Sequence, residues 1–397
     1  MKYKLSDITV KVTDGEHGTV KDSKDGRCYL LSCKNIKNGK IEIGPKERRI
    51  DEETMRTLNK RTQLEKDDIL ITTVGTIGEM AMIRDDRICY SFQRSVGVIK
   101  PDISKVLPEY LYYAILNETN QITTLIKGAV QKCLFINDLK MLEINLPSLE
   151  TQKKIIRVLS ALDRKIELNT KENDTLEDII KCHYKSFIGD NGRSRTEYKT
   201  SDLFDYNGGY SYTSAELVDE STIGMMTIKN FERTGGFKID GFKPLAPQKT
   251  KIPTANLFDI FVACTDVTQN ADIIGNAIML LDKGEYEDTT YSMDLVKIEP
   301  RINKFALYAI LSSKDFKNFA LGYKSGTTVL HLSKKCLKEY VISLPEEKEV
   351  EAFGEIVEKL CRKISNNLAE NRNLRQIHNA LLPKLLSGEI DMSRIEV

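Results

Sequence analysis

The stretch RKIELNTKEN, residues 164–173, decides the fold, because a related stretch, RKISNNLAEN, occupies residues 362–371. The two stretches are 198 positions apart, and other matches keep the same order along the chain. They include YKLSD at 3–7 with YKTSD at 198–202, and YAIL at both 113–116 and 308–311. We interpret the chain as two tandem copies of one unit of about 195 residues, which is too long for a solenoid repeat.

Each of these stretches lies in a run with coiled-coil spacing. Apolar residues recur at alternating steps of about three and four, and an asparagine pair interrupts the apolar seam in each copy. The predicted seam positions are Ile155, Leu159, Leu162, Ile166, Asn169, Asn173, Leu176 and Ile180, and then Phe353, Val357, Leu360, Ile364, Asn367, Asn371, Leu374 and Leu381. Such long helices are more often dimer stalks, but two matching helices in one chain favour antiparallel packing on each other as a rod of roughly 60 Å.

A mixed region precedes each helix. Asp68–Ile83 has β-branched runs around two glycines and predicts two strands with a tight turn, whereas YAIL predicts a core helix. The predicted fold class is α+β: two mixed α/β globular domains separated by two long helices packed as an antiparallel coiled coil, with a pseudo-two-fold internal repeat. The expected divisions are a domain at 1–148, a helix at 149–190, a domain at 191–345 and a helix with a tail at 346–397.

Composition excludes several classes of protein. The chain is 41% hydrophobic and 29% charged, as globular proteins are. Its eight cysteines form no CxxC pair, so we expect free thiols and a reducing cytoplasm. Its four histidines are dispersed, so no metal site is expected, and neither a signal peptide nor a membrane-spanning run is evident.

Charge argues against a nucleic-acid surface that covers the whole chain. There are 59 basic and 58 acidic residues, so any such surface must be local. The best local basic segment runs from Lys21 to Arg49. A solvated strand-and-turn region explains that segment equally well.

The motifs of common catalytic sites are absent from the sequence. It contains no GxGxxG or GxxxxGK[ST] phosphate cradle, no HExxH and no GxSxG. It also lacks the Asn/Asp-Pro-Pro-aromatic motif with which a base-methylating enzyme would grip an extruded amino group. No catalytic residue is therefore predicted.

At this point the chain resembles the specificity subunits of type I restriction-modification enzymes. The stretch INLPSLETQKKIIRVLSALDRKIELN, residues 144–169, looks like that family's join between a target recognition domain and a conserved spacer helix. GTIGEMAMI at 75–83, SFQRSVGVIKP at 91–101 and KGAVQKC at 127–133 follow the family's order within a recognition domain. The second copy departs at 264–280 and at 344–356, where the threonine-glycine turn and the glutamine are replaced.

The resemblance implies a non-catalytic recognition role. Each domain would read one half of a split, asymmetric site in double-stranded DNA, and the helices would set the spacing and dock two modification subunits. S-adenosylmethionine would bind to those methyltransferase subunits. ATP and Mg²⁺ would bind to partner subunits in the assembly that also contains the restriction, or motor-nuclease, subunits. Those partners could supply much of the phosphate clamp, which would account for the near-zero net charge.

Base readout requires polar side chains on loops that face a groove. In the first domain the candidates are Thr73, Thr76, Gln93, Arg94, Lys127, Gln131 and Lys132. In the second domain the comparable positions are Thr265, Thr268, Gln269, Asn270, Lys324, Ser325, Thr327 and Thr328. A solvated loop explains any single one of these residues, so the groups are stronger predictions than their members.

Two other interpretations stay open at this stage. The same architecture could serve a type IIB-like restriction system, which the neighbouring genes would distinguish. Alternatively, the chain could be a coiled-coil scaffold with two ligand-binding domains, which predicts no sequence-specific DNA binding. A stand-alone nuclease or methyltransferase is disfavoured by the missing motifs.

Overall fold

A computed structural model of the chain describes residues 1–128, 131–189, 194–268 and 270–392. Contacts divide the chain into two compact units. The first consists of Met1–Asp163 with Gln376–Val397, and the second of Arg164–Arg375. Each unit therefore joins one globular domain to parts of both long helices.

The first globular domain is built on a four-stranded antiparallel sheet in the order β2-β10-β7-β8, next to a smaller sheet, β6-β3-β9, in which β3 and β9 are parallel. Its strands are β1 (Lys2–Lys4), β2 (Thr9–Asp14), β3 (Cys28–Leu31), β4 (Ile36–Lys37), β5 (Lys40–Ile41), β6 (Arg49–Ile50), β7 (Ile69–Thr72), β8 (Met80–Met82), β9 (Tyr90–Phe92), β10 (Val96–Pro101) and β11 (Glu143–Asn145). Its helices are α1 (Glu52–Thr62), α2 (Pro108–Asn117), α3 (Thr119–Leu125) and α4 (Ile136–Leu139), and the long helix α5 (Leu149–Gly189) follows.

The second globular domain repeats this topology, with a four-stranded sheet β13-β20-β16-β18 and a smaller sheet β15-β14-β19 in which β14 and β19 are parallel. Its strands are β12 (Thr196–Lys199), β13 (Phe204–Gly208), β14 (Ile223–Met226), β15 (Lys243–Pro244), β16 (Ile260–Ala263), β17 (Thr265–Asp266), β18 (Ala277–Met279), β19 (Asp288–Tyr291), β20 (Leu295–Pro300), β21 (Lys324–Ser325), β22 (Leu330–Leu332) and β23 (Val341–Leu344). Its helices are α6 (Thr200–Leu203), α7 (Lys304–Leu311), α8 (Lys314–Leu321) and α9 (Cys336–Glu339), and the long helix α10 (Glu347–Ser387) follows.

The predicted local elements are present. Asp68–Ile83 forms strands β7 and β8, which pair antiparallel around a turn. Both YAIL stretches lie in buried helices, α2 and α7. Each long helix spans 41 residues, as the heptad pattern predicts.

The two long helices run antiparallel within the second unit. Asn169 contacts Asn371, Asn173 contacts Asn367, and the Phe187 ring stacks on Phe353 at 4.2 Å between centroids. Residue numbers thus rise along one helix as they fall along the other. Together with the repeated sheets, this confirms the α+β fold class, the internal repeat and the antiparallel coiled coil.

One expectation about the cysteines is wrong. Cys28 and Cys89 form a disulfide that ties the start of β3 to the residue before β9. Parallel pairing of these strands, with Tyr29 opposite Tyr90, brings the two cysteines together, although they are 61 positions apart in the sequence. The other six cysteines are free thiols, as expected.

Candidate nucleic-acid interface

In the first unit, three segments that are distant in sequence meet where β7 ends. The Thr73 N–H donates to the Ser95 carbonyl (2.9 Å), and the Leu134 N–H donates to the Thr73 carbonyl (2.9 Å). The Arg94 N–H donates to the Glu16 carbonyl (2.9 Å), which fixes the loop before β10. We call residues 73–76, 93–95, 127–128 and 131–133 the first strand-end junction.

Most of the predicted DNA contacts of the first domain lie at this junction. Thr76, Arg94, Lys127, Gln131 and Lys132 are exposed there, and Gln93 is half-buried. The Lys127 ammonium pairs with Asp138 at 2.7 Å. The backbone hydrogen bonds thus bring together the segments that carry the predicted polar side chains.

Thr73 differs from the rest of this set because its side chain is buried. Only 3% of the residue is exposed, and its hydroxyl donates to the Arg94 carbonyl at 3.2 Å. The side chain is placed to support the loop that carries Arg94 rather than to reach a base.

The second unit builds the same junction from different residues. The Cys264 N–H donates to the Asp294 carbonyl and the Leu332 N–H donates to the Cys264 carbonyl, both at 2.8 Å. The Met293 N–H donates to the Tyr210 carbonyl at 2.9 Å. We call residues 264–267, 292–294 and 324–331 the second strand-end junction.

A glycine turn closes the hairpin of each junction. Gly128 has φ +115° and Gly326 has φ +102°, and a Cβ on either would lie 2.2 Å from the carbonyl oxygen of the residue three positions later. Both a left-handed backbone and the absence of a side chain are needed there. The equivalence of these two glycines aligns the hairpins independently of their other side chains.

The predicted contacts of the second domain are divided between this hairpin and a longer loop. Lys324, Ser325, Thr327 and Thr328 are exposed on the hairpin, and Asn270 is exposed on the loop. The Thr265 hydroxyl donates to Asp294 (2.8 Å), and the half-buried Thr268 hydroxyl accepts from the Asp272 N–H (3.2 Å). Gln269 lies outside the described residues.

Asp266 organises the longer loop. It is fully buried and accepts hydrogen bonds from the N–H groups of Thr268 (2.7 Å), Ile273 (2.6 Å) and Ile274 (3.0 Å). Burial alone would raise the pKa of this carboxyl, but the three backbone donors lower it below its ordinary value. Asp266 therefore holds the loop as a carboxylate and is not available to DNA.

The sequence alignment of the two domains is off by one residue at the end of β7. The backbone hydrogen bonds make Thr73 equivalent to Cys264, and Val74 equivalent to Thr265. Val74 forms a β-bridge with Cys133 in the first domain, as Thr265 does with His331 in the second. The counterpart of Arg94 is Met293, and that of Gln131 is Val329. Sequence reasoning missed Met293 and Val329 because it looked only for polar residues. The hairpin glycines could have revealed Val329 in the sequence, because Val329 lies three residues after Gly326 as Gln131 does after Gly128.

The basic segment Lys21–Arg49 satisfies several of its charges internally. The Lys34 ammonium pairs with Glu47 at 2.9 Å, and Arg48 pairs with Asp22 at 2.7 Å. The Cys33 N–H donates to the Ser95 hydroxyl at 3.1 Å, so the turn that carries Lys34 borders the first junction.

The helix pair of the second unit has a buried polar centre. The Asn169 amide donates to Asn371 (2.9 Å) and to Glu370 (2.8 Å), and the Asn367 amide donates to Asn173 (2.8 Å) and to Glu172 (2.8 Å). Lys165 pairs with Glu370 at 3.1 Å, and Lys363 pairs with Glu172 at 3.2 Å. The two halves of this network contain the same residues 198 positions apart, which gives the pairing a defined register.

The remaining predicted seam positions vary in burial. Ile155, Leu159, Ile180, Phe353, Val357 and Ile364 are buried, whereas Leu162, Ile166, Leu176, Leu360, Leu374 and Leu381 are half-buried. Sequence reasoning missed Tyr184, Cys361 and His378, which are buried along the same helices, as is Gln152 of the family-like join. Gln152 donates to the Lys105 and Pro147 carbonyls, so it fastens the start of α5 to the first domain.

The described part of the chain has neither a candidate metal site nor a candidate membrane span. No group of three or more His, Cys, Asp or Glu side chains there could hold a metal ion. No helix there is both long enough and apolar enough to cross a membrane.

Comparison with known proteins shows what the chain is similar to. Residues 13–178 match the family model described as the type I restriction modification DNA specificity domain. The HindI specificity subunit of Haemophilus influenzae is 24% identical over 82% of this chain and 87% of its own length. The MjaIX specificity subunit of Methanocaldococcus jannaschii is 24% identical over 95% of this chain and 90% of its own length.

A solved structure has the same fold. The type I restriction-modification S subunit of M. genitalium covers 97% of this chain and 96% of its own, with a TM-score of 0.57 and 18% identity. Shared fold, the family-model match and full-length relatives agree with the resemblance drawn from the sequence. Residues 13–178 thus match the DNA specificity domain of type I restriction-modification systems, and the chain as a whole is similar to the specificity subunits of such systems.

Proposed function

We propose that this chain selects a bipartite, asymmetric DNA site, with one half read by each globular domain. One observation carries the proposal: both units build the same strand-end junction from equivalent backbone hydrogen bonds, yet present unlike side chains on it. Equivalent scaffolds with different polar and apolar groups would bind the same kind of ligand and read different base sequences.

The long helices would separate the two halves of the site. Their antiparallel register in the second unit is fixed by the asparagine network, so the gap between the two half-sites is expected to be constant. We further propose that the helices dock two modification subunits, and that restriction subunits join the complex for cleavage.

Cofactors are assigned to the partners in this proposal. S-adenosylmethionine would bind to the modification subunits, and ATP and Mg²⁺ would bind elsewhere in the partner assembly. The formal net charge of +1 supports a shared DNA clamp, because a neutral chain neutralises few phosphates by itself.

Methylation mapping tests the proposal. The chain is co-expressed with the modification subunit encoded beside it in a host without DNA methylation, and the modified adenines are sequenced. A split motif with two unlike halves and a fixed gap is the expected result. If the modification subunit binds and is active but no split motif appears, the bipartite reading is wrong. If the subunit does not bind at all, the scaffold interpretation replaces it.

A further inference from the structure

The second strand-end junction exposes three large apolar side chains. Val267 is 64% exposed, Met293 is 57% exposed and Val329 is 40% exposed. β17 and β22 pair antiparallel with Asp266 opposite Leu330, and Val267 and Val329 are the residues that directly adjoin this pair in the two segments. The Thr265 hydroxyl bonds to Asp294, which places the neighbouring Met293 loop against the same strand.

The first unit places polar side chains at the corresponding positions. Arg94 is the counterpart of Met293. The Arg94 N–H donates to the Glu16 carbonyl just after β2, and the Met293 N–H donates to the Tyr210 carbonyl just after β13. Gln131 is the counterpart of Val329, since each lies three residues after the hairpin glycine. Thr76 is the counterpart of Val267, because each lies two residues after the equivalent bridge residues Val74 and Thr265.

Three lysines lie on the junction or beside segments that contact it. The Lys249 ammonium lies 5.3 Å from the centroid of the Tyr210 ring, and the Tyr210 carbonyl accepts from Met293. The Lys334 ammonium lies near Gly208, at the end of β13, and Lys324 is exposed on the hairpin. Three carboxylates of the same region are held by hydrogen bonds: Asp294 by the Thr265 hydroxyl, the buried Asp266 by three backbone N–H groups, and the buried Glu216 by the Tyr210 hydroxyl.

An apolar surface flanked by lysines matches one feature of a duplex. In the major groove, thymine presents a C5-methyl group that apolar side chains contact, and the phosphates on either side attract ammonium groups. We infer that the second domain recognises its half-site through thymine C5-methyl groups, contacted by Met293, Val267 and Val329. This inference rests on the proposed DNA-recognition function and specifies its chemistry for one domain.

Deoxyuridine provides the test, because it lacks only the C5-methyl group and pairs as thymine does. The complex of this chain with its modification subunit is titrated with duplexes that contain the mapped site. Each thymine of either strand is replaced singly by deoxyuridine in both halves. At least one replacement in the second domain's half is expected to weaken binding about fourfold, the effect of withdrawing one methyl group from an apolar contact.

Side-chain variants then connect that methyl group to this surface. With Met293→Ala or Val329→Ala, the ratio of thymine to deoxyuridine affinity at that position is expected to fall towards one. Val341→Ala is the matched control, because Val341 is also an exposed apolar residue (47%) of the same unit but lies on β23, outside the junction. Thermal melting verifies that each variant is folded.

Several outcomes would overturn the inference while leaving the proposed function intact. One is a second half-site that contains no thymine, and another is unchanged affinity for every deoxyuridine duplex. A third is that Met293→Ala weakens all duplexes equally, as a side chain wedged between base steps would. If the variants instead lose the modification subunit, the surface binds protein. Failure of the unaltered complex to bind any specific duplex would refute the proposed function itself.

Discussion

At the scale of single residues, the two strand-end junctions separate a main-chain scaffold from the side chains that we propose to read DNA. Main-chain hydrogen bonds of Thr73 and Cys264 hold the scaffold, and these bonds do not depend on side-chain identity. Side chains such as Arg94 and Met293 project from it and are exposed. A sequence change at an exposed junction position is therefore expected to alter recognition without altering the fold.

Arg94 gives the first prediction. Arg94→Ala should weaken recognition of the half-site read by the first domain, by about 1–3 kcal/mol if the guanidinium contacts a base. The measurement is binding of the assembled complex to duplexes altered in one half at a time. Equal loss for changes in both halves, or no loss, would contradict it.

The hairpin glycine gives a structural prediction. Gly326→Ala should destabilise the second domain by about 1–3 kcal/mol, because the new Cβ would collide with the Val329 carbonyl at a left-handed φ. Gly235→Ala is the matched control: its φ is also positive, at +91°, but a Cβ there would meet nothing within 4 Å. Urea unfolding compares the two, and an equal loss in both variants would show that φ alone sets the cost.

What could be predicted from sequence at this scale depended on residue chemistry. Polar loop residues such as Arg94 could be predicted as base contacts, because their residue type suits that role. Met293 was missed, since its position becomes equivalent to that of Arg94 only through backbone hydrogen bonds between distant segments. The Cys28–Cys89 disulfide was missed for the same reason, because parallel strand pairing brings the two residues together.

At the scale of elements, the helix pair depends on a buried amide network. Asn169→Ala should destabilise the second unit by about 1–3 kcal/mol, because it removes the side-chain amide that donates a hydrogen bond to Asn371 inside the helix pair. Asn366→Ala, an exposed asparagine on the same helix as Asn371, is the control. The double variant Asn169→Ala with Asn371→Ala should cost less than the sum of the two single changes. Equal effects of Asn169→Ala and Asn366→Ala in urea unfolding would refute the role of the network.

The same element contains a carboxyl group with a shifted pKa. Burial raises the pKa of Glu177 on α5 to about 7, from 4.5, despite the attraction of Lys181. Between these values the folded state keeps a proton that the unfolded chain has lost, so this group lowers stability as pH rises through that window. Glu177→Gln should therefore flatten the stability profile between about pH 4.5 and 7, whereas exposed Glu355→Gln should leave its shape unchanged. A Glu177→Gln profile identical to that of the unaltered chain would contradict this.

Helix bounds were predictable from the sequence because heptad spacing extends over many residues and is interrupted by few exceptions. The burial of individual residues along the seam was less predictable. Cys361 is fully buried while the predicted Leu360 is half-buried, because the packing of the helix against the second domain buries residues beyond the heptad seam. The β-strands β17, β21 and β22 were also beyond sequence reasoning, since they are only two or three residues long and exist through pairing with one another.

At the scale of the whole molecule, the central claim is that each domain reads its own half of one DNA site. The internal repeat allows a direct test, because Tyr3 corresponds to Tyr198 and Leu146 to Leu344. A chain in which residues 196–344 are replaced by a second copy of residues 1–146 keeps the long helices and carries the first domain twice. Its ability to bind the modification subunit serves as the control for folding.

The decisive measurement is the methylated motif of this chain compared with that of the unaltered one. Two copies of the first domain's half-sequence, separated by the original gap, are the result expected if each domain reads independently. An unchanged motif, or a new sequence in the half assigned to the first domain, would contradict the claim that recognition is divided between the two domains.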